Sequence, residues 1–423
     1  MDAPSARRYS LITLGCPKNE VDSEKLTGLL DADGLVEVDD TADADLVVIN
    51  TCAFIEAARQ ESIDTVLAVR DVAPDAEVVV TGCMAERYGD ELAEALPEVQ
   101  RVAGFGVPVT IGSKPATGGA AMDVAGFDLL ELPRPPSRAP WAYLKIAEGC
   151  DRNCGFCAIP SFRGPQRSRA IPDLLAEVDA LGASEIVLVA QDLASYGRDQ
   201  GQGDRSIIPL VRAVSERVER VRLLYLYPSD LTDELIDTII DTGVPYFDLS
   251  LQHVSRPLVR RMRRWGEGSV FLERIQRIRR LAPDAALRSS FIVGYPGETE
   301  EDQDHLLDFI EEARLDWCGF FPYSREDGTY AADLDQAVDD DLVRERLAEL
   351  TELQDRITAE KRLELIGSTV EVLVDEPGIA RSHREAPEID GIIEVTPTLA
   401  VGSIQSVEIT DARGPDLIAG GTG

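Results

Sequence analysis

Three apolar runs in the first 110 residues, SLITLGC, DLVVINTC and EVVVTGC, each end in a cysteine. Between them lie the helix-like segments EVDSEKLTGLLDADG and IEAARQESIDTVLAVRDV. Strands alternating with helices predict a parallel sheet. In such a sheet the carboxyl ends of the strands share one edge, where ligands bind. Cys16, Cys52 and Cys83 are therefore expected to meet in space although far apart in sequence. The competing reading is three separate apolar thiols buried in a core.

Residues 111–140 are rich in Gly, Pro and small side chains and read as a linker. A second alternating series follows, with strand candidates AYLKIAEG, EIVLVAQD, VRLLYLYP, YFDLSLQH, ALRSSFIVGYP and WCGFFPYS separated by helices such as IPDLLAEVDALGA and EEDQDHLLDFIEEAR. Six such units over 141–335 predict a closed or partly closed parallel α/β barrel, with its site at the carboxyl ends of the strands. A doubly wound open sheet is the alternative. Residues 336–366 read as a connecting amphipathic helix. Residues 367–423 alternate like short strands between turn residues and read as a small all-β domain. The expected fold class is thus α/β throughout, in an N-terminal domain (1–110) and a central barrel, followed by the β domain.

Charge narrows the partners. The chain carries 42 Lys and Arg against 77 Asp and Glu, a net charge of −35. Such a surface repels a phosphate backbone and favours basic partners. The β domain repeats the bias, with three Arg and no Lys against ten Asp and Glu, which makes it a poor RNA clamp. One basic exception, SRPLVRRMRRWG, reads as a solvated helix face able to meet an anionic group. The N-terminus has no apolar run of a signal peptide, and no stretch approaches a membrane span, so a cytoplasmic protein without membrane association is expected. Seven cysteines in such a chain point to metal or redox chemistry more than to disulfides.

The stretch EGCDRNCGFCAIP concentrates that chemistry, with Cys150, Cys154 and Cys157 in the loop after the first barrel strand. A zinc site wants four ligands, and the three histidines, His253, His305 and His383, are poorly placed to complete one. Thiolates are the usual ligands of iron–sulfur clusters. Three of them leave one iron of a cubane open, as a catalytic metal requires. Cys318, inside a strand, reads as a small core residue, and the histidines as structural.

The CxxxCxxC motif at this position resembles the radical S-adenosylmethionine (SAM) superfamily. Together with three dispersed N-terminal cysteines and a terminal β module it resembles the methylthiotransferases, over nearly the whole chain. The words TLGCPKNEVDSE, VAQDLASYGRD, YLYPSDLTDELI, FDLSLQHVS, FIVGYPGET and YSREDGTYAA are similar to the branch that modifies a ribosomal protein. The tRNA-modifying branch carries GCQMN where this chain has GCPKN.

This resemblance implies two 4Fe-4S clusters, one on Cys150, Cys154 and Cys157 that cleaves SAM and an auxiliary one on Cys16, Cys52 and Cys83 that presents sulfur. It implies a terminal domain of the TRAM type and, as substrate, an aspartate β-carbon of the basic small-subunit ribosomal protein twelve. A flavodoxin or ferredoxin reductant is implied, and tRNA is disfavoured. Acid–base catalysis is a poor route to an unactivated carbon, whereas a radical carried by a cofactor reaches it. Seven further positions are candidate cofactor contacts: Phe156 against the cluster and adenine, Gln191 and Asp192 at a strand end, Gln252 and Arg288 on later strands, with Arg suited to the SAM carboxylate, and Gly294 and Gly297 as glycines that let backbone approach the adenosyl group.

Overall fold

The computed structural model describes residues 6–97, 99–107, 127–201 and 207–420. The first part of the expected linker, 111–126, lies outside these residues. The N-terminal domain is the anticipated parallel sheet: β1 (Arg8–Thr13), β2 (Val36–Glu37), β3 (Leu46–Thr51), β4 (Glu77–Gly82) and β5 (Arg101–Ala103), in the order β2-β1-β3-β4-β5. Helices α1 (Pro17–Ala32), α2 (Glu56–Val72) and α3 (Cys83–Ala95) make the crossovers. Central β3 is buried along its whole length. Leu46, Val47, Val48 and Ile49 are fully removed from water, each burial stabilising by roughly 1.5–3 kcal/mol.

The central domain starts at β6 (Trp141–Lys145), followed by a small antiparallel pair, β7 (Ala147–Glu148) with β8 (Arg167–Ser168). The short helix α4 (Ile159–Arg163) lies between these two. Strands β9 (Glu185–Val189), β10 (Arg220–Leu223), β11 (Tyr246–Gln252), β12 (Ala286–Val293) and β13 (Trp317–Pro322) complete the six. They pair in parallel as two sheets, β10-β9-β6 and β11-β12-β13. A parallel bridge from Leu226 to Leu249 joins the sheets, so the six strands form a partial barrel rather than a doubly wound sheet. Helices α5 (Ile171–Leu181), α6 (Ile207–Ser215), α7 (Asp233–Asp241), α8 (Arg256–Arg261), α9 (Gly268–Leu281) and α10 (Glu300–Ala313) accompany the strands. Their apolar faces share one core with the strands, from Leu144 and Leu188 through Phe247 to Phe291 and Ile310.

Helix α11 (Asp340–Leu363) connects to a closed five-stranded barrel. Its strands are β14 (Thr369–Glu376), β15 (Ile379–Arg381), β16 (Ile393–Glu394), β17 (Ile404–Arg413) and β18 (Asp416–Gly420). This module docks through a buried ionic knot. Glu185, at the start of β9, accepts from Arg222 Nε at 2.7 Å and lies 3.3 Å from Arg381 of the module, and both Glu185 and Arg222 have 0% exposure. Arg381 also pairs with Asp375 at 2.5 Å. Arg220 and Arg222 then donate to the carbonyls of Arg381 and His383.

Two predictions follow from these buried charges. Arg381→Met leaves the Glu185 and Asp375 carboxylates short of a partner, which typically costs about 3–5 kcal/mol for a buried pair; denaturant unfolding should show this loss, together with faster proteolysis at 364–368. His253 is fully buried, accepts a hydrogen bond from the Ser255 N–H at Nδ1, and is held neutral by that burial, which pushes its pKa down to about 4. Its contribution is complete above pH ~6.5 and lost as pH falls towards 4, on the order of 3 kcal/mol in all. His253→Asn should therefore flatten the stability profile between pH 6.5 and 4 relative to the unmodified chain.

Candidate active site

Each N-terminal cysteine is placed by a strand end. Cys16 is the N-cap of α1, Cys52 follows β3, and Cys83 opens α3 directly after β4. The turn before Cys16 needs Gly15, whose φ is +99° and whose missing Cβ would lie 2.9 Å from Cys52 Sγ. That close approach requires glycine. Gly82, at φ +87°, has the backbone of Thr51 where a Cβ would sit. Through these two turns the three loops share one edge of the sheet, as the strand pattern anticipates.

All seven cysteines are free thiols. Burial pushes Cys52 up to about 12, with Cys83 and Cys16 adding repulsion, and burial likewise raises Cys83. Cys16 differs. Burial raises it, but Lys18, Arg163 and the backbone N–H groups of Asn19 and Lys18 outweigh that effect and hold it below the ordinary thiol value. In the second group, burial pushes Cys150 up to about 11 and Cys157 to about 12, with Cys154 repelling both. The thiols of each group thus lie within electrostatic reach of one another. Among the described residues no three His, Cys, Asp or Glu side chains are spaced for a single ion. Two sets of three mutually interacting thiols suit a group that takes each thiolate on a different metal atom, which is how a cubane is ligated.

Arg163, the last residue of α4 on the segment that leaves Cys157, reaches from the barrel to the N-terminal set. Its guanidinium donates to both Glu148 carboxylate oxygens at 2.8 and 2.9 Å, to Asn19 Oδ1 at 2.8 Å and to Cys83 Sγ at 2.9 Å. Lys145 completes the knot, donating to Asp22 at 2.6 Å and pairing with Glu148. Asp22, Lys145, Glu148 and Arg163 are all buried. Burial raises the Glu148 carboxyl, yet Arg163 and Lys145 reverse this and hold it ionised.

The other candidate contacts separate into two groups. Gln191 and Asp192 follow β9 beside the cysteine loop. Gln191 donates to Glu148 at 2.8 Å, and Asp192 accepts from Arg152 at 2.5 Å and from Ser195 at 2.6 Å. Gln191 Oε1 and Asp192 Oδ1 are nevertheless buried without a partner among the described residues, an unmet demand that a polar ligand would satisfy. Gln252 ends β11 in a left-handed conformation, φ +72°, at a register shift.

Arg288 points elsewhere: it lies early in β12, paired with Asp248 at 3.2 Å and with Asp390 of the terminal module at 3.4 Å. The space opposite Gly294 is filled by Val343 and that opposite Gly297 by Arg261, so the close approach each glycine allows is to a protein side chain. Phe156 packs on Leu258, Met262, Tyr295 and Ala331. Cys318 packs against the barrel core.

Sequence reasoning missed Arg152, Arg163 and Lys145 around the thiols. Arg152 sits between Asp192 and Asp230 and over the Tyr227 ring. Arg264 donates to Cys154 Sγ at 3.2 Å, which is the anionic contact of the basic stretch. The available signals were Arg152 and Arg163 flanking the cysteine triplet, and Lys145 and Glu148 inside an otherwise apolar strand.

Comparison with known proteins places this geometry. Residues 8–104 match an uncharacterized protein family, UPF0004, residues 144–310 the radical SAM superfamily and residues 366–420 the TRAM domain. The ribosomal protein uS12 methylthiotransferase RimO of Moorella thermoacetica is 44% identical over 95% of this chain and 96% of its own length. The protein of that name from Saccharopolyspora erythraea is 41% identical, covering 98% and 95%, and that from Streptomyces coelicolor 40%, covering 98% and 97%. The radical S-adenosylmethionine methyltransferase TsrM of Kitasatospora setae, solved with cobalamin and a 4Fe-4S cluster, is similar in fold, with a TM-score of 0.51 and 15% identity over 94% of this chain and 84% of its own. With full-length relatives at this identity, and the thiols gathered as two triads on the domains those relatives share, the chain belongs to the RimO family of radical SAM methylthiotransferases.

Proposed function

We propose that the chain inserts a methylthio group at the β-carbon of an aspartate in small-subunit ribosomal protein uS12, using SAM and two 4Fe-4S clusters. The observation that carries this reading is the junction at Arg163, a barrel residue six positions after Cys157 whose guanidinium donates to Cys83 of the N-terminal set. Sulfur insertion at carbon needs a radical source and a sulfur source held close together, and this contact seats the two cysteine-bearing domains against each other.

When bound, the clusters and SAM supply the radical that removes a β-hydrogen and the sulfur and methyl group that replace it. The residues of the chain hold and insulate that chemistry. Cys150, Cys154 and Cys157 would ligate one cluster and Cys16, Cys52 and Cys83 the other. Arg264 at Cys154 and Arg163 at Cys83 offset thiolate charge by direct N–H donation. The free oxygens of Gln191 and Asp192 would receive donors from the methionyl or ribose end of SAM. Arg152, gripped by Asp192 and Asp230, fixes the Asp192 carboxylate beside the loop.

The substrate choice rests on charge as well as on kinship. A −35 chain with an acidic terminal module suits a cationic protein better than a polyanionic tRNA. The setting is the cytoplasm, with a flavodoxin or ferredoxin as reductant. Among the described residues no helix is long and apolar enough to cross a membrane.

Anaerobic reconstitution should load about eight irons per chain. The Cys16→Ala, Cys52→Ala, Cys83→Ala triple variant should hold about four and still release deoxyadenosine from SAM, without sulfur transfer. Wild-type protein that loads about four irons would remove the auxiliary cluster. Incubation with purified uS12 and with tRNA, followed by mass analysis of both, should show methylthiolation of the protein; incorporation into RNA alone would reverse the substrate reading.

A further inference from the structure

Lys18 is the second residue of α1, two positions after Cys16. A cation in the first turn of a sixteen-residue helix opposes the helix dipole. Its ammonium is half-buried and, among the described residues, has neither a carboxylate nor a carbonyl partner. It sits instead over the ring of Tyr225, with Nζ 3.7 Å from the ring centre. Tyr225 belongs to the barrel, just beyond the carboxyl end of β10, and holds that position with a left-handed backbone, φ +64°, anchored by its N–H to Asp248 Oδ2 at 2.9 Å. Lys18 therefore spans from the N-terminal triad to the mouth of the barrel. Its charge there faces only the Cys16 thiol and the Tyr225 ring, with no carboxylate among the described residues.

The neighbouring cations are committed. Arg163 is held by Glu148, Asn19 and Cys83. Lys145 is held by Asp22 and Glu148, Arg152 by Asp192 and Asp230, and Arg288 by Asp248 and Asp390. Arg264 is engaged by Cys154 and the Ser250 carbonyl. An aspartate side chain brought to a half-buried site must find a positive partner or lose the hydration of its carboxylate. Each of these cations has a carboxylate or carbonyl partner that Lys18 lacks among the described residues; from this and the placement of Lys18 between the two domains, we infer that Lys18 is the specificity-determining residue that receives the carboxylate of the substrate aspartate, with the Tyr225 ring as its platform.

This inference rests on the reading that the substrate is a protein aspartate. Its test is binding, with no SAM or reductant present, of uS12 carrying Asp and of uS12 carrying Asn at the modified position, to reconstituted full-length enzyme. Wild type should prefer the Asp protein by about 10- to 100-fold, the range expected when a charged hydrogen-bonded partner is gained. Lys18→Gln should lose most of that preference, Lys18→Arg should keep part of it, and both should load the wild-type amount of iron. Lys18→Gln with an unchanged preference, or with irons missing, would overturn the assignment, the second by making Lys18 a cluster support. A wild-type enzyme that prefers Asp in binding but methylthiolates only tRNA would sink the substrate reading instead, and the assignment with it.

Discussion

Everything near the thiols depends on keeping Arg163 charged while it is buried. A guanidinium taken out of water at that depth is tolerable only with ionised, well-aimed acceptors around it. Glu148 and Asp22 supply the opposite charge, and Lys145 keeps those two carboxylates from repelling each other. The four charges come from α1, β6, β7 and α4, so the knot cannot form unless the N-terminal sheet and the barrel are already seated. A buried ion set of this kind contributes less to net stability than to uniqueness of arrangement. Here it fixes how the dispersed thiols lie relative to the contiguous ones.

Much of this was legible in the sequence. The alternating strand and helix pattern marks both parallel α/β domains, and the cysteine at each N-terminal strand end marks the shared edge. The terminal β module and helix α11 were equally visible, because their hydrophobic periods are regular. Less visible were the partners of Arg288, Gly294 and Gly297. Local spacing says which residues end a strand, but not which distant segment fills the space opposite. Val343 lies on α11 and Asp390 in the terminal module, and no pattern within β12 or the turn after it announces either contact. Arg152, Arg163 and Lys145 were missed for the same reason: a lone Arg or Lys in a strand or loop looks like surface until its buried partner is known.

The terminal module shows how few positive charges are needed to attach an acidic body. Arg381 is turned inward to Glu185 and Asp375, and the carbonyls of Arg381 and His383 accept from Arg220 and Arg222 of the barrel. Docking thus uses main-chain acceptors that no substitution of side chains can remove, alongside ion pairs such as Arg381 with Glu185 and Arg288 with Asp390.

That inward turn has a consequence for encounter kinetics. Of the three arginines in the module, Arg381 is buried and Arg384 half-buried, which leaves Arg413 as its one exposed cation. Glu371, Glu376, Glu394, Glu408 and Asp411 all face solvent. The outer surface is therefore more anionic than its composition suggests, and it casts a field that reaches about one Debye length, roughly 8–10 Å at ordinary ionic strength. A basic protein would be drawn along that field before any contact forms, so added salt should slow its arrival far more than it hastens its departure.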